Sequence, residues 1–596
     1  EIFFPPHDMV PGDEGGTNFA LSAIILTLLS VLESCFEDTS LDGGSYGDLF
    51  DDKSFRALLP AVFRDIYAAI KENMPEISAP RAFLRTLRLG LHHTRDENTK
   101  GGWSYWILDI VTYLLHLFVK IVWCLVKDKM DDTADRRLWI ILNLAVGIGI
   151  GLIRDKVLFT ENFDSIDKYD LRAWLEKYIV HDGGLTLDSA LVRGFYSLAF
   201  AFPGGDTSTG GRIAAGTILK ILLRWFFTYR GSLYYKFSAG TGDVAFAPLY
   251  EVLRRRGVKF EFFRRVEALH CSETEITSID LQRQVELKDP AVGYEPLISV
   301  NRLPAWPSEP LYQQIVDGEQ LHDHNLESAW DDWPGAGQIT LEQGRDFDKV
   351  VLGIPLGSFK YICQDLIQKN ARWKEMTTLM QTVWTQGIQY WMLPPLPQLG
   401  WTGPEPMMSA YIEPVDTYAD MSQTLWAERW PDAETPYAVS YMCGVMQMTE
   451  TPPAYTGSPE YAGFPAQLVD RTKTTAMDWT TSGGHLLWPN FVRQDQAGQL
   501  QWEMFADASA GVGEERFNAQ YFRSNADPDQ QYVLSVPGST QARLPSGDSG
   551  FANLYLAGDW TYNYVNAGSV ECTVTSGFLA SRAICGQPAY IFGEDA

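Results

Sequence analysis

The sequence predicts an α/β fold class, α+β overall, with one large helical region and a later half built on strands. Three observations predict it. Through residues 18–235 apolar side chains recur at helical spacing, as in Leu58, Leu59, Val62, Phe63, Ile66 and Ile70, the mark of an amphipathic helix. Near Phe237 the pattern changes to turn, helix and strand. Two later runs, Phe347–Ile354 and Phe551–Leu556, are nearly continuous in apolar residues at their centres, as strands buried on both faces are.

In chain order, Phe19–Leu32 reads as one buried helix and Phe55–Ile70 as an amphipathic one. Tyr169–Tyr178, Leu191–Phe202 and Ile213–Tyr229 repeat the pattern, separated by Gly/Asp/Thr clusters such as Pro203–Arg212. Tyr105–Val126 contains Asp109, His116 and Lys120, which are costly in a bilayer. Leu138–Ile153 includes Asn143 and is shorter than the roughly 20 residues a membrane span requires. Both stretches read as buried helices. The alternative is that they dip into a membrane or line an entrance for an apolar substrate.

Ala239-Gly-Thr-Gly-Asp243 is a turn, and the helix after it carries Val244, Phe246, Leu249, Tyr250, Val252 and Leu253. Arg254–Arg256 suit the negative C-terminal end of that helix, and Gly257 is the expected residue just past it. Val258–Phe263 alternates as a strand. Residues 370–545 are rich in Trp, Tyr, Pro and Met; Thr382–Leu393 reads there as a strand and Pro394–Gly403 as a loop. Phe551–Leu556 is a strand, Ala557-Gly-Asp559 a turn, and Ser569–Cys585 a helix whose Ser576, Gly577, Ala580 and Ser581 suit close packing.

The 596 residues hold 48 Lys and Arg against 75 Asp and Glu, a net charge of −27. Nucleic-acid binding needs a basic footprint, so no nucleic-acid partner is expected. Cys35, Cys124, Cys271, Cys363, Cys443, Cys572 and Cys585 are widely spaced with no C-x-x-C. That argues against a disulfide scaffold or zinc site and for a reducing, cytoplasmic compartment. Membrane association and peripheral membrane contact are the alternative location. His322-Asp-His324 has a chelating spacing, but in a polar stretch with no third ligand it reads as surface, and no metal is expected.

The sharpest chemical signal is C-terminal: Asn553-Leu-Tyr-Leu-Ala-Gly-Asp-Trp-Thr561, Asn566-Ala-Gly-Ser-Val-Glu571 and Ser576-Gly-Phe-Leu-Ala-Ser-Arg-Ala583. A strand ends at Gly558, where backbone can approach a ligand. Asp559 offers a carboxylate. Gly568-Ser569 opens a helix whose free N–H groups and positive dipole suit an anionic or electron-rich group.

These segments resemble the C-terminal FAD-binding motif of the flavin-containing amine oxidase and phytoene desaturase-like superfamily. Ala239–Val266 resembles the family's Gly-rich turn, helix and strand. Asp348–Pro355 resembles its D-x-V-V-x-A-x-P strand, and Leu534–Ser539 with Gly547–Asn553 the lead-in to its last motif. The pieces appear in the family's order. The resemblance implies a discontinuous FAD-binding Rossmann-like domain (236–300, 346–360 and 546–596), a mixed-sheet substrate domain and a large helical insertion. Residues 301–345 would be linker and substrate-domain strands, 361–545 an aromatic-rich substrate domain, and 1–235 a helical substrate or cap region. It also implies non-covalent FAD held by Gly240, Gly242, Val266, Pro355, Gly558, Asp559, Trp560, Ala567, Gly568, Ser569, Val570 and Glu571. Val266 would meet the adenine through its backbone. Cys572, inside the last helix, reads as packing rather than a flavin link.

Two departures matter. The family opens with a strand, G-x-G-x-x-G and a helix that hold the pyrophosphate. Gly147-Ile-Gly-Ile-Gly151 lies inside an apolar helical run and Gly210-Gly-Arg-Ile-Ala-Ala-Gly216 follows a loop, so neither is that fingerprint. Phe3–Asp8 resembles a position past the family's first βαβ unit. That unit is expected to be cleaved, disordered or omitted ahead of Glu1, or supplied by a separate chain. Second, many amine oxidases place a Lys near flavin N5 where Gln386 falls here. An uncharged Gln cannot act as a base. This favours desaturation, dehydrogenation or isomerisation of a largely apolar small molecule, with hydride passing to flavin N5. Gln386, Tyr390 and Trp391 are the candidates for the substrate side, and the catalytic base stays unassigned. The alternatives are a flavin amine or amino-acid oxidase producing peroxide, and a non-catalytic descendant acting as a binding or scaffold protein.

Overall fold

The computed structural model describes residues 112–594, apart from 113, 114, 117, 118, 121, 125, 456–458 and 494–498. The expected helices Phe19–Leu32 and Phe55–Ile70, the segment Phe3–Asp8 and the first part of Tyr105–Val126 lie outside the described residues. The chain divides into two compact units. The first takes the residues up to Arg193, Ile213–Leu233 and the stretch from Phe592; the second takes Gly194–Arg212 and Tyr234–Ile591.

The first unit is helical over its described residues. Helix α1 (Thr133–Arg154) starts at Asp132, whose carboxylate accepts the Ala134 and Asp135 N–H groups at 2.8 and 3.0 Å. That satisfies donors a helix start otherwise leaves free. Among the described helices, α1 is the one long and apolar enough to cross a membrane by length and composition, and 67% of its most apolar window is buried. Its polar Asn143 is satisfied in place: Nδ2 donates to Val180 O at 2.9 Å, and Oδ1 accepts Val180 N at 2.8 Å. The Gly147–Gly151 repeat serves packing. A Cβ at Gly147 would lie 2.6 Å from Ile179 Cγ2, and one at Gly151 2.5 Å from Trp174 Cη2. Helices α2 (Leu171–Leu175) and α3 (Ala215–Thr228) follow. Asp170 joins their starts, accepting Arg172 N at 3.0 Å and Ile213 N at 2.9 Å. Gly216 lies inside α3, where a Cβ would meet Phe163 O at 1.9 Å, so the second glycine cluster is also a packing feature.

After Tyr234 the second unit forms one wide, π-helical turn, Gly242–Phe246, that runs into α4 (Ala247–Arg255). The end of α4 follows its sequence closely. Gly257 has φ +88°, its N–H bonds Arg254 O at 3.0 Å, and Val258 N–H bonds Leu253 O at 3.0 Å, the paired closure that left-handed glycine permits. Its strands include β1 (Arg264–Cys271), β2 (Ile276–Arg283), β3 (Ile298–Val300), β4 (Leu303–Ala305), β5 (Gly337–Glu342), β6 (Val350–Leu352), β7 (Gln381–Val383), β8 (Thr385–Met392), β9 (Met407–Met408), β10 (Thr417–Asp420), β11 (Ala438–Val445), β12 (Tyr521–Asn525), β13 (Tyr532–Leu534) and β14 (Leu554–Leu556). The helices used below are α5 (Gln364–Lys369), α6 (Ala371–Leu379), α7 (Phe464–Leu487) and α8 (Val570–Cys585).

Helices and small mixed sheets make this an α/β fold, as expected. A three-stranded antiparallel sheet runs β1-β2-β5, and a five-stranded one runs β12-β8-β11-β10-β9. Strands β6 and β14 pair in parallel. Three strand expectations change. Val258–Phe263 forms no ladder; the strand starts at Arg264, and Phe260 and Phe262 instead pack on Tyr250 at 4.7 and 6.0 Å. Phe347–Ile354 contracts to the three residues that β14 can pair, Val350–Leu352. Thr382–Leu393 breaks at Trp384 into β7, paired with β13, and β8. The Pro394–Gly403 loop contains one helical turn, Leu396–Leu399.

Two cores organise this unit. One gathers Leu352, Leu554, Leu556 and Trp560 with Leu269, Ile276, Phe359 and Trp373, so the parallel pair and the β1 sheet share an interior. In the other, Ile388, Tyr390 and Met392 of β8 meet Met442, Phe522, Ala476 and Trp479. Helix α7 therefore covers one face of the five-stranded sheet.

Two ionic contacts yield measurable consequences. Arg516 grips Glu434 with two hydrogen bonds of 2.8 Å, and both side chains are close to fully buried. Arg516→Met is expected to cost about 3–5 kcal/mol in urea denaturation, because it strands a buried carboxylate. His270 Nε2 lies 2.9 Å from Asp280 Oδ2 and its Nδ1 3.4 Å from Asp365 Oδ2; the hydrogen bond to Asp280 chiefly raises its pKa. A raised folded pKa stabilises fully below the unfolded value of about 6.5 and is lost as pH rises through the folded value. His270 is 41% exposed, so the effect is a few tenths of a kcal/mol. The Tm difference between wild type and His270→Gln should shrink from about pH 6 to about pH 8.

Candidate functional site

The site grows from the parallel pair. Val350, Val351 and Leu352 stand opposite Leu554, Tyr555 and Leu556. Val350 N–H donates to Asn553 O at 2.8 Å, and Ala557 N–H to Leu352 O at 2.9 Å. Parallel strands end on the same side, and ligands of open parallel sheets bind beyond those carboxyl ends. Here β6 runs into Pro355 and β14 into Gly558. Trp560, 1% exposed, ties the two ends by donating Nε1–H to Ile354 O at 3.1 Å. Its ring fills the place of a Gly558 side chain: a Cβ there would lie 2.3 Å from Trp560 Nε1, and Gly558 has φ +154°. Gly558 N–H donates to Ser576 Oγ at 2.7 Å, which fastens the turn to α8. Ser576 reads in the sequence only as a small packing residue.

The carboxyl of Asp559 is half-buried, and its oxygens take no hydrogen bond from any other described residue. Burial raises its pKa, and the neighbouring Arg543 opposes that rise. Arg543 is 3% exposed and donates to the Asp559 main-chain oxygen at 2.6 Å and to Ser535 Oγ at 3.1 Å. It holds the turn by its backbone and leaves the carboxylate open. Sequence reasoning missed Arg543, because a lone Arg between two motif pieces forms no pattern.

Beyond the turn, Ala567, Gly568 and Ser569 are half-buried at the start of α8. Ser569 Oγ accepts Cys572 N–H at 3.1 Å. Tyr532 of β13 donates its hydroxyl to Gly568 O, and a Gly568 Cβ would lie 2.4 Å from the Tyr532 ring. The glycine is thus needed for backbone to pass the phenol. Val570 and Glu571 are exposed on the first turn, where a carboxylate also complements the helix dipole. Cys572 is fully buried, its Sγ 3.1 Å from Asn563 Nδ2, and burial raises its pKa.

The other expected cofactor residues sit as follows. Gly240 caps the turn before α4, its oxygen accepting Asp243 N at 2.9 Å and Val244 N at 3.1 Å. Gly242 O accepts Trp306 Nε1–H at 3.0 Å. Val266 lies on edge strand β1 and packs against the core that holds β6 and β14. Pro355 is half-buried just after β6, its oxygen accepting Ser358 N at 3.1 Å. The structure therefore joins Val266 and Trp560 through one interior, with Gly558 against the Trp560 ring, while Gly240 and Gly242 are organised around Trp306.

The three substrate-side candidates divide between two faces of the five-stranded sheet. Tyr390 is fully buried in the α7 core and its hydroxyl meets Thr480 Oγ1 at 2.9 Å, which makes it a core residue. Gln386 shares that face and is 2% exposed; its Nε2 donates to Val445 O at 2.9 Å, but its Oε1 has no hydrogen-bond partner among the described residues. A buried orphan acceptor costs about 1–3 kcal/mol, so it invites a ligand or water. Trp391 faces the other way and donates to Glu428 Oε2 at 2.8 Å, as Trp430 also does.

Much apolar surface stands open around these elements. Phe246 just before α4, Leu249, Val252 and Leu253 of α4, Val258 and Phe260 after it, Val351 at the centre of β6, and Val574 and Phe578 of α8 are all exposed. His324, by contrast, is spent locally: its Nδ1 lies 3.2 Å from Asp331 Oδ1 and 3.5 Å from Asp332 Oδ1, while His322 turns to Glu319. Asp331 also accepts Asn325 N–H at 2.7 Å and Trp333 N–H at 2.9 Å, as a loop staple.

No family model matches the chain, and no curated protein matches it. Among solved structures it is similar to an oxidoreductase from Methanosarcina mazei, 12% identical over 73% of each chain, with a TM-score of 0.34.

The Gly558 turn yields one direct expectation. Ser576→Ala leaves the Gly558 N–H buried without an acceptor and should cost about 1–3 kcal/mol, read by chemical denaturation.

Proposed function

We propose that the chain is an FAD-dependent oxidoreductase of desaturase, dehydrogenase or isomerase type that takes hydride from a largely apolar substrate. The observation that carries this reading is the Gly558 turn at the ends of a parallel pair. There an open Asp559 carboxylate and the start of α8 lie on one short stretch of chain. The residues suit the back half of a dinucleotide. Asp559 can accept from a hydroxyl, Gly558 and Gly568 bring backbone close, and the first turn of α8 presents N–H groups to an electron-rich edge. Bound FAD supplies the hydride acceptor. The protein's own share is orientation and exclusion of water, with Gln386 Oε1 as a buried acceptor that can hold a proton-bearing group.

The front half of such a site, a Gly-rich strand–helix turn, does not occur among the described residues. The exposed apolar side chains of α4, β6 and α8 offer the surface a further βαβ unit would cover, because parallel sheets are ordinarily buried on both faces. Such a unit, on this chain or on a separate one, would complete the site. The same open surface favours a second reading, a binding protein that keeps the fold without flavin.

A visible spectrum separates the two readings. Flavin bands at about 380 and about 450 nm on reconstitution support the enzyme. A colourless protein that FAD cannot reconstitute removes it. Asp559→Ala should weaken FAD binding at least tenfold, about 1.4 kcal/mol, in a titration followed at those bands, with the folded state unchanged by circular dichroism.

A further inference from the structure

The face of the five-stranded sheet opposite α7 takes no part in the site above. Side chains alternate along a strand. With Ile388, Tyr390 and Met392 turned into the α7 core, Thr385, Gly387, Gln389 and Trp391 look the other way. Residues directly opposite in an antiparallel pair share a face. Gly387 therefore lies between Arg523 of β12 and Cys443 of β11, and Gln389 between Tyr521 and Tyr441. The Asn525 Nδ2–H to Thr385 Oγ1 bond of 3.0 Å joins side chains on that same face.

Gly387 makes a depression in this face. Among the described residues a Cβ there would find only Tyr441, 3.7 Å from its Oη and 3.8 Å from its Cε2, within 4 Å. Tyr441 and Tyr521 remain 37% and 50% exposed. Burial raises the Tyr441 phenol above its ordinary pKa. Strands β11 and β12 lie two spacings apart across β8, roughly 9–10 Å, which is room for one ring between the phenols. Cys443 is held protonated, its pKa pushed up by burial to about 11, so it acts as wall.

Arg523 supplies the polar end. Its one hydrogen bond from the side chain is a long one, Nε to Asn525 Oδ1 at 3.4 Å, and it forms no ion pair among the described residues. The carboxyls within its electrostatic reach are Asp527 and Asp529, both with pKa raised mainly by burial. Asp527 is already spent on Ala329 N at 2.6 Å and Ser328 Oγ at 3.2 Å. The planar fork of the guanidinium is therefore free for the bidentate contact that carboxylates accept best.

We propose that this face binds a ring-bearing carboxylate, with the ring over Gly387 and Gln389 between Tyr441 and Tyr521 and the carboxylate on Arg523. The proposal rests on reading this sheet as the substrate domain, and names the substrate class. The test is calorimetric titration of the full chain, without FAD, using benzoate and its neutral counterpart benzyl alcohol. Benzoate should bind saturably and lose at least tenfold in affinity in Arg523→Gln, with part recovered in Arg523→Lys. Benzyl alcohol should bind both forms alike. Gly387→Leu should block both ligands while circular dichroism stays unchanged. Absence of saturable benzoate binding, or equal binding by wild type and Arg523→Gln, overturns the proposal. Because no turnover is read, the outcome is independent of flavin. A colourless protein that binds benzoate keeps this site and loses the flavin reading, and a yellow protein indifferent to benzoate does the reverse.

Discussion

Trp560 holds the Gly558 turn and the end of β6 together. It occupies the space beside Gly558, ties the turn after β14 to the turn after β6 through Ile354, and buries its ring in the core shared with β1. A ring of this size contributes both apolar burial and one directed N–H, and inside a core that donor needs its acceptor. Remove the indole and the two strand ends lose their common support. The Asp559 carboxylate and the start of α8 would then have no fixed relation to Pro355.

Around that knot, polar side chains are used to hold backbone rather than one another. Arg543 takes the Asp559 carbonyl, Ser576 the Gly558 N–H, Tyr532 the Gly568 carbonyl and Ser535 the Asn566 carbonyl. Each of these main-chain groups would be expensive to bury unpaired. The result is a turn whose backbone is saturated while one carboxylate and one helix start stay open. Such an arrangement can receive a ligand with little reorganisation. Gln386 is the opposite case: its amide N–H is satisfied and its oxygen is not, so that point of the core is balanced only when something else arrives.

The two faces of the five-stranded sheet divide the labour. One is a closed aromatic core with α7, in which Tyr390 meets Phe505 at 4.9 Å. The other carries Gly387 and is bordered by Tyr441 and Tyr521. Elsewhere the unit leaves apolar surface open on α4, β6 and α8.

By itself the sequence determined what depends on near neighbours in the chain. The α4 helix and its closure at Gly257, the α8 helix with its Ser569 cap, and the strand–turn–helix order from Asn553 to Cys585 are all written in short patterns. So is the rejection of both glycine clusters as phosphate turns, since each sits in a visibly helical or loop context. The tertiary structure decided what depends on residues far apart. Val258–Phe263 alternates like a strand, yet a strand exists only with a partner, and none lies beside it among the described residues. Tyr390 and Trp391 are adjacent in sequence but lie on opposite faces, because a pleated strand sends neighbours apart and only α7 says which face is closed. Arg543 and Ser576 became site residues only when folding brought them to Asp559 and Gly558. The sequence carried the local geometry of the Gly558 turn, and long-range packing alone chose which side chains surround it.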